Sequence, residues 1–360
     1  MRTLSLTQTD LRALLAAQLA DGVRVAAPSR PGVRSGESGS VPRARYGWIT
    51  DAAEAVLDPE IPALSVRELF LPPTEPLFHW RESRDGVTLE EVPIAFEPRV
   101  VWGVRPCDAA ALEILDRVMS WGSTDELWSG RREATTVVGL ACTGEDSSCF
   151  CTAVGLAPDS TRGLDVLLVP VGEGYLVEVL TPRGEKMVGQ QPHLFGEAQG
   201  KEDAERARDR ARDRVMNHLD LTIAPVRTWL AGHFEHPFWH DLALRCHGCG
   251  VCAAVCPSCH CFDIVDEPEG RGAGTRRRNW DTCQTARFTL HGSGHNPRPH
   301  QLARFRQRML HKFHIYPERF DEVLCVGCGR CARACPAGMD LIEVLSQVND
   351  LARAEGGGGA

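Results

Sequence analysis

Cys246, Cys249, Cys252 and Cys256 stand just ahead of Pro257, and the same spacing returns at Cys325, Cys328, Cys331 and Cys335 ahead of Pro336. A [4Fe–4S] cube takes four thiolates; the short CxxCxxC loop wraps three of them around one cube, and the proline turns the chain away. Two such runs predict a pair of [4Fe–4S] clusters. In such pairs the fourth cysteine crosses over, which groups Cys246, Cys249 and Cys252 with Cys335, and Cys325, Cys328 and Cys331 with Cys256. The competing reading is a pair of zinc sites, but zinc is usually held by two CxxC knuckles rather than a threefold repeat with a trailing Cys-Pro.

The rest of the composition narrows the setting. A chain of 360 residues suggests two domains on the rule of ~150 residues each. We expect a mixed α+β or α/β domain over 1–235, an all-α dicluster domain of the helical-ferredoxin kind over 236–350, and a disordered tail over 351–360. The 68 residues between Cys256 and Cys325 are too many for a small hairpin ferredoxin. A net charge of −8 argues against nucleic acid or an anionic membrane as partner. Fifteen cysteines, odd in number and gathered in CxxC and CxC groups, suit metal ligation better than a disulfide framework. Arg12 and Gln18 interrupt the apolar stretch Leu11 to Ala20, so it is no signal-peptide core, and no run approaches the ~18 apolar residues of a membrane span. The expected compartment is the cytoplasm, where thiolates stay reduced.

Taken in order, residues 4–20 carry leucines at helical spacing with Thr7 or Thr9 as N-cap. Pro28 to Pro42 reads as a loop. Phe70 to Phe78 reads as irregular and Val92 to Phe96 as a strand. Arg99 to Val104 is a β-rich apolar run followed by Cys107, with Asp108 as N-cap of an amphipathic helix. Thr135 to Leu140 repeats the pattern and ends at Ala141-Cys142. Both cysteines thus fall just past the carboxyl ends of strands, where α/β sheets place ligands. A hairpin is expected about Gly172-Glu-Gly174, an exposed charged helix over 199–218, and helices at Gln301 to Phe313 and Asp340 to Arg353.

Cys107, Cys142, Cys149 and Cys151 are the right number for a third cluster; the blander reading is that free cysteine is a small buried hydrophobe. Cys259, Cys261 and Cys283 offer three thiolates and need a fourth ligand, His260 or His291, for a further metal site. Otherwise they pack around the clusters. The His- and Arg-rich stretch 291–314, with Arg298, Arg304, Arg306, Arg308, His311 and Lys312, reads as a helix whose charged face meets a partner protein or the anionic cluster surroundings, and Arg276-Arg277-Arg278 as a solvated loop. No GxGxxG after a strand, no GxxxxGK[ST], no HExxH and no Ser/His/Asp arrangement occurs, so no flavin or nucleotide site is expected in this chain.

Several of these segments together resemble one family. Val104-Arg-Pro-Cys-Asp, Val138-Gly-Leu-Ala-Cys, Cys149-Phe-Cys151, Cys256-Pro-Ser-Cys-His-Cys-Phe-Asp, Trp280-Asp-Thr-Cys, His291-Gly-Ser-Gly-His-Asn-Pro-Arg-Pro, Met309-Leu-His-Lys-Phe and Cys325-Val-Gly-Cys-Gly-Arg-Cys look like the iron–sulfur β subunit of cytoplasmic [NiFe] hydrogenases, the sulfhydrogenases. They are also similar to the iron–sulfur subunit of anaerobic sulfite reductase. The likeness covers about residues 60–345. It implies an electron-transfer subunit without chemistry of its own. Its partners would be an FAD- and NAD(P)-binding flavoprotein and either the small and large subunits of a [NiFe] hydrogenase or a sirohaem sulfite reductase subunit. The rival readings are a zinc-stabilised binding protein using the basic patch, and an enzyme with its own substrate site at the N-terminal cysteines.

Overall fold

Four β-rich runs lie side by side as parallel strands: β2 (Arg24–Ser29), β6 (Arg99–Val104), β7 (Thr135–Leu140) and β8 (Val166–Val171). The other strands of this sheet, β1 (Arg2–Thr7), β3 (Arg45–Trp48), β9 (Gly174–Val179) and β10 (Gly196–Glu197), each pair antiparallel with their neighbours, in the order β10-β1-β9-β8-β7-β6-β2-β3. The computed structural model describes residues 2–30, 43–58, 60–144, 146–216 and 220–356.

Side chains alternate across these strands, so each face carries its own core. Val100, Trp102, Val138, Leu140, Val166 and Leu168 face the helices Gln8–Ala20 and Pro182–Gln190; Val101, Val137, Leu167 and Val169 face Pro106–Met119 and Glu126–Glu133. With both faces covered, the central strands read as continuous apolar runs. Val226, Trp229, Trp239, Phe305, Met309, Phe313, Leu345 and Val348 build a separate core among the later helices Ile223–Gly232, Phe238–Arg245, Gln301–Leu310 and Leu341–Gly356.

The C-terminal part is not all-α. Between the two cysteine runs the chain forms the hairpin β11 (Phe262–Pro268) and β12 (Ala273–Trp280). It extends a second sheet of order β11-β12-β4-β5 with β4 (Thr74–Ser83) and β5 (Gly86–Glu91). The triple arginine is therefore strand rather than solvated loop. Arg278 is buried against Glu75 and Asp125, and Glu75 also pairs with buried Arg131. A carboxylate on β4 gives these charges the partners a buried site demands.

Other expectations shift as well. Phe70 to Phe78 is partly β4, whereas Val92 to Phe96 lies outside any strand. Leu4 and Leu6 belong to β1, and the helix starts only at Gln8, capped by the Thr7 hydroxyl, which accepts from the Asp10 N–H at 3.0 Å. The N-cap of Pro106–Met119 is Arg105, with Pro106 at the first helical position, so Asp108 sits inside the first turn. The charged helix, Lys201–Met216, buries Ala204, Ala211 and Val215. Of the expected tail, 351–356 continue a helix and 357–360 lie outside the described residues, as do 31–42 of the Pro28 to Pro42 loop. No helix among the described residues is long and apolar enough to cross a membrane.

Candidate metal centre

Each CxxCxxC run makes its turn with two left-handed glycines, Gly248 and Gly250 in the first and Gly327 and Gly329 in the second, followed by a single helical turn, Val251–Ala254 or Arg330–Arg333. Cys246, Cys249, Cys252 and Cys335 line one cavity, with Cys331 also on its wall. Cys256, Cys325, Cys328 and Cys331 line a second. The two gatherings thus share Cys331. Cys249 is the exposed member of the first; Cys256, Cys325 and Cys328 are buried.

Cys107 and Cys142, past the ends of adjacent parallel strands β6 and β7, meet Cys149 and Cys151 in a cavity of about 550 Å³ that Cys328 also lines. The loop carrying Cys149 and Cys151 lies directly on the second run. The Phe150 N–H donates to the Gly327 carbonyl at 2.8 Å, and a Cβ on Gly329 would overlap the Ser148 carbonyl oxygen. With a φ of +68° as well, Gly329→Ala is expected to destabilise the protein by about 1–3 kcal/mol through overpacking and backbone strain. Thermal unfolding of the anaerobically purified variant checks this.

Cys259, Cys261 and Cys283 form a fourth gathering, with His260 and His311 on its wall. His291 is elsewhere, its ring 5.4 Å from that of His295.

The charges around these sulfurs were largely hidden in the sequence. Lys312 is 2% exposed; its ammonium lies 3.3 Å from Cys256 Sγ, 3.3 Å from Ser258 Oγ and 2.8 Å from the Leu324 carbonyl oxygen. Arg308, one helical turn earlier, donates to Cys259 Sγ at 3.5 Å and to the Cys252 carbonyl at 3.1 Å. Arg105 gives one nitrogen to the Asp58 and Glu60 carbonyls and turns its buried guanidinium toward the Cys142 thiol. Arg67 binds the carbonyls of Ala254 and Cys259 and stacks on Trp280 at 3.8 Å. No salt bridge among the described residues gives Arg67, Arg105, Arg308 or Lys312 a carboxylate partner. Of these four, only Arg308 and Lys312 lay in the basic stretch visible in the sequence; Arg105 stood only within the Val104-Arg-Pro-Cys-Asp segment, and nothing marks Arg67.

Burial pushes the Cys151 and Cys331 thiols up to about 12 and Cys325 to about 11. With these thiols neutral, the buried cations would find opposing charge only at thiols such as Cys256, which the Cys259 hydrogen bond and the nearby Lys312 and Arg308 hold well below the usual thiol value, and a buried cation without an opposing charge costs heavily. Thiolates bound to iron–sulfur clusters supply the missing negative charge, so the residues present fit such clusters.

The arrangement is that of an iron–sulfur protein built on a dicluster domain, and a family profile for the 4Fe-4S dicluster domain matches residues 245–339. The chain is 30% identical over 311 residues, 85% of its length and 89% of the relative's, to sulfhydrogenase 2 subunit beta of Pyrococcus furiosus. It belongs to the family of iron–sulfur hydrogenase β subunits.

Proposed function

We propose that this chain is the electron relay of a multi-subunit hydrogenase. It would pass single electrons between an NAD(P)H-handling flavoprotein and a [NiFe] module, through clusters at Cys246/Cys249/Cys252/Cys335, Cys325/Cys328/Cys331/Cys256 and Cys107/Cys142/Cys149/Cys151. The observation that carries it is the shared walls: Cys331 borders the first and second gatherings, and Cys328 the second and third. Neighbouring sites separated by one cysteine form a continuous path. Bound there, [4Fe–4S] clusters supply one-electron chemistry. The chain's own residues hold them, exclude water and set their charge. Exposed Cys249 brings one end of the path to the surface, and the open N-terminal cavity, with Arg43 and Arg333 on its wall, opens the other.

Iron and acid-labile sulfide in the anaerobically purified chain test the reading. At least about twelve of each per chain are expected for three clusters, and Cys246→Ala, Cys325→Ala and Cys142→Ala should each remove about four. A colourless protein holding zinc and no sulfide would refute the relay. Co-purification with a flavoprotein and a nickel subunit supports the hydrogenase assignment; a sirohaem partner would redirect it to sulfite reduction.

A further inference from the structure

The fold divides the basic stretch of the sequence into two halves with different surroundings. No Asp or Glu occurs between Asp281 and Glu318. The helical half turns inward, where Arg306, Arg308 and Lys312 are buried. The half before it, the loop 285–300, turns outward: Arg287, Leu290, His291, His295 and His300 are exposed and Arg298 is half-buried.

Both ends of this loop are fixed to the first cysteine run. At one end a Cβ on Gly250 would meet the Thr282 side chain at 2.5 Å, and Gln284 lines the cavity of Cys246, Cys249, Cys252 and Cys335. At the other, Gln301 Nε2 lies 3.2 Å from Cys246 Sγ and 3.1 Å from Gln284 Oε1. Arg304 ties the two ends together, donating to the Gln284 carbonyl at 3.0 Å and to the Pro299 carbonyl at 2.9 Å. Between them Asn296 holds the shape. Its amide donates to the Ala286 carbonyl at 2.7 Å, and its oxygen accepts from the Thr289 hydroxyl at 2.8 Å and the Arg298 N–H at 2.9 Å. The loop is therefore an ordered rim standing on the wall of the first gathering, whose Cys249 is exposed.

Among the described residues no carboxylate pairs with Arg287 or Arg298. Asp281 at the foot of the loop and Asp340 on the cavity wall each accept a backbone N–H instead, from Thr282 at 2.6 Å and from Ile342 at 2.8 Å. Leu244, two residues ahead of Cys246, is 86% exposed, and Leu290 on the loop is 48% exposed. Apolar contact beside unpaired positive charge is the composition of a protein interface with a polar rim. On a chain of net charge −8, an acidic partner is repelled by most of the surface and drawn to this rim, which orients it. We propose that the loop 285–300 is the docking surface for an acidic one-electron carrier protein, which exchanges electrons at the site of exposed Cys249. The overall negative charge and the place of the rim at one end of the electron path favour a protein over nucleic acid or a lipid surface. Because the loop is already ordered, docking costs little conformational entropy.

The inference rests on the relay reading, and the test separates the two. The full chain, purified anaerobically, is mixed with an acidic [2Fe–2S] ferredoxin as probe. Titration calorimetry reads binding of the oxidised ferredoxin, and stopped-flow absorbance reads electron transfer from the reduced one. Raising salt from ~0.05 to ~0.5 M should weaken binding and slow transfer, each about tenfold or more. Arg287→Glu combined with Arg298→Glu should do the same at low salt, while iron content and reduction by methyl viologen, a small cation, stay at the wild-type level. Arg287→Glu alone reports the effect should the double variant fail to fold. Arg84→Glu, in the exposed turn between β4 and β5, should change neither binding nor transfer, which rules out an effect of net charge. Wild type that does not bind the ferredoxin, or variants that bind it unchanged, overturn the docking surface and leave the relay standing. A DNA duplex or anionic phosphatidylglycerol vesicles bound by wild type and lost in the double variant, with ferredoxin binding unaffected, also overturn it. A chain without iron and sulfide overturns the relay and this surface together.

Discussion

Asp108→Asn is expected to destabilise the protein by about 3–5 kcal/mol, because removing one partner of a buried ion pair leaves the other charge uncompensated. Asp108 is fully buried and Arg330 is 2% exposed; they pair through two bonds of 2.7 and 2.6 Å. The carboxylate sits in the first turn of Pro106–Met119, one residue after Cys107, where the helix dipole favours negative charge. The guanidinium opens the helical turn after Cys328 and also donates to the Pro62 carbonyl at 2.9 Å. The pair therefore fastens the third cysteine gathering to the second. The Tyr46 hydroxyl, 3.3 Å from Asp108 Oδ2, completes the arrangement. Thermal denaturation under anaerobic conditions reads the loss. Asp108→Leu combined with Arg330→Met should cost less than the two single substitutions added, because no lone charge remains. Additive costs would show that the pair does not act as a unit.

That pair shows why part of the site could not be read from the sequence. The two cysteine runs were legible because each loop concentrates four cysteines within eleven residues. Cys107 and Cys142 were legible because a buried parallel strand is a continuous apolar run with a defined end. Asp108 looked like a helix cap because its true partner lies 222 positions away. Arg278 looked solvated because Glu75, which buries it, lies 203 positions away. The same blindness hid the hairpin β11–β12, whose place in a sheet depends on β4. It also brought His291 forward beside His260, although the His291 ring stands against His295 and not on the wall that Cys259, Cys261 and Cys283 share, since proximity in space has no local pattern. Leu4 and Leu6 were absorbed into the helix beginning at Gln8 because their alternation is too short to stand apart from the leucine spacing that follows.

Lys312→Met should lower the reduction potential of the cluster proposed at Cys325, Cys328, Cys331 and Cys256 by roughly 100 mV. Burial by itself disfavours the ammonium, yet the sulfurs of Cys256 and Cys259 outweigh it and hold its pKa above the usual lysine value. A cation in this position favours the more negative, reduced form of whatever the sulfurs bind. Two unit charges ~4 Å apart interact by ~4 kcal/mol at an effective dielectric of ~20, or about 170 mV at about 59 mV per 1.4 kcal/mol. An added electron spreads over the cluster, farther from Nζ than the Cys256 sulfur, so the smaller figure is expected. EPR-monitored redox titration of the purified chain measures the shift. Lys312→Arg, which keeps the charge, should restore most of the potential, and iron content should stay at the wild-type level in both variants. A shift below about 20 mV, or one toward positive potential, would show that Lys312 serves packing alone. A negative shift reversed by arginine would show that a lysine 13 residues ahead of Cys325 sets the step in potential between the exposed site at Cys249 and the open cavity at Cys107.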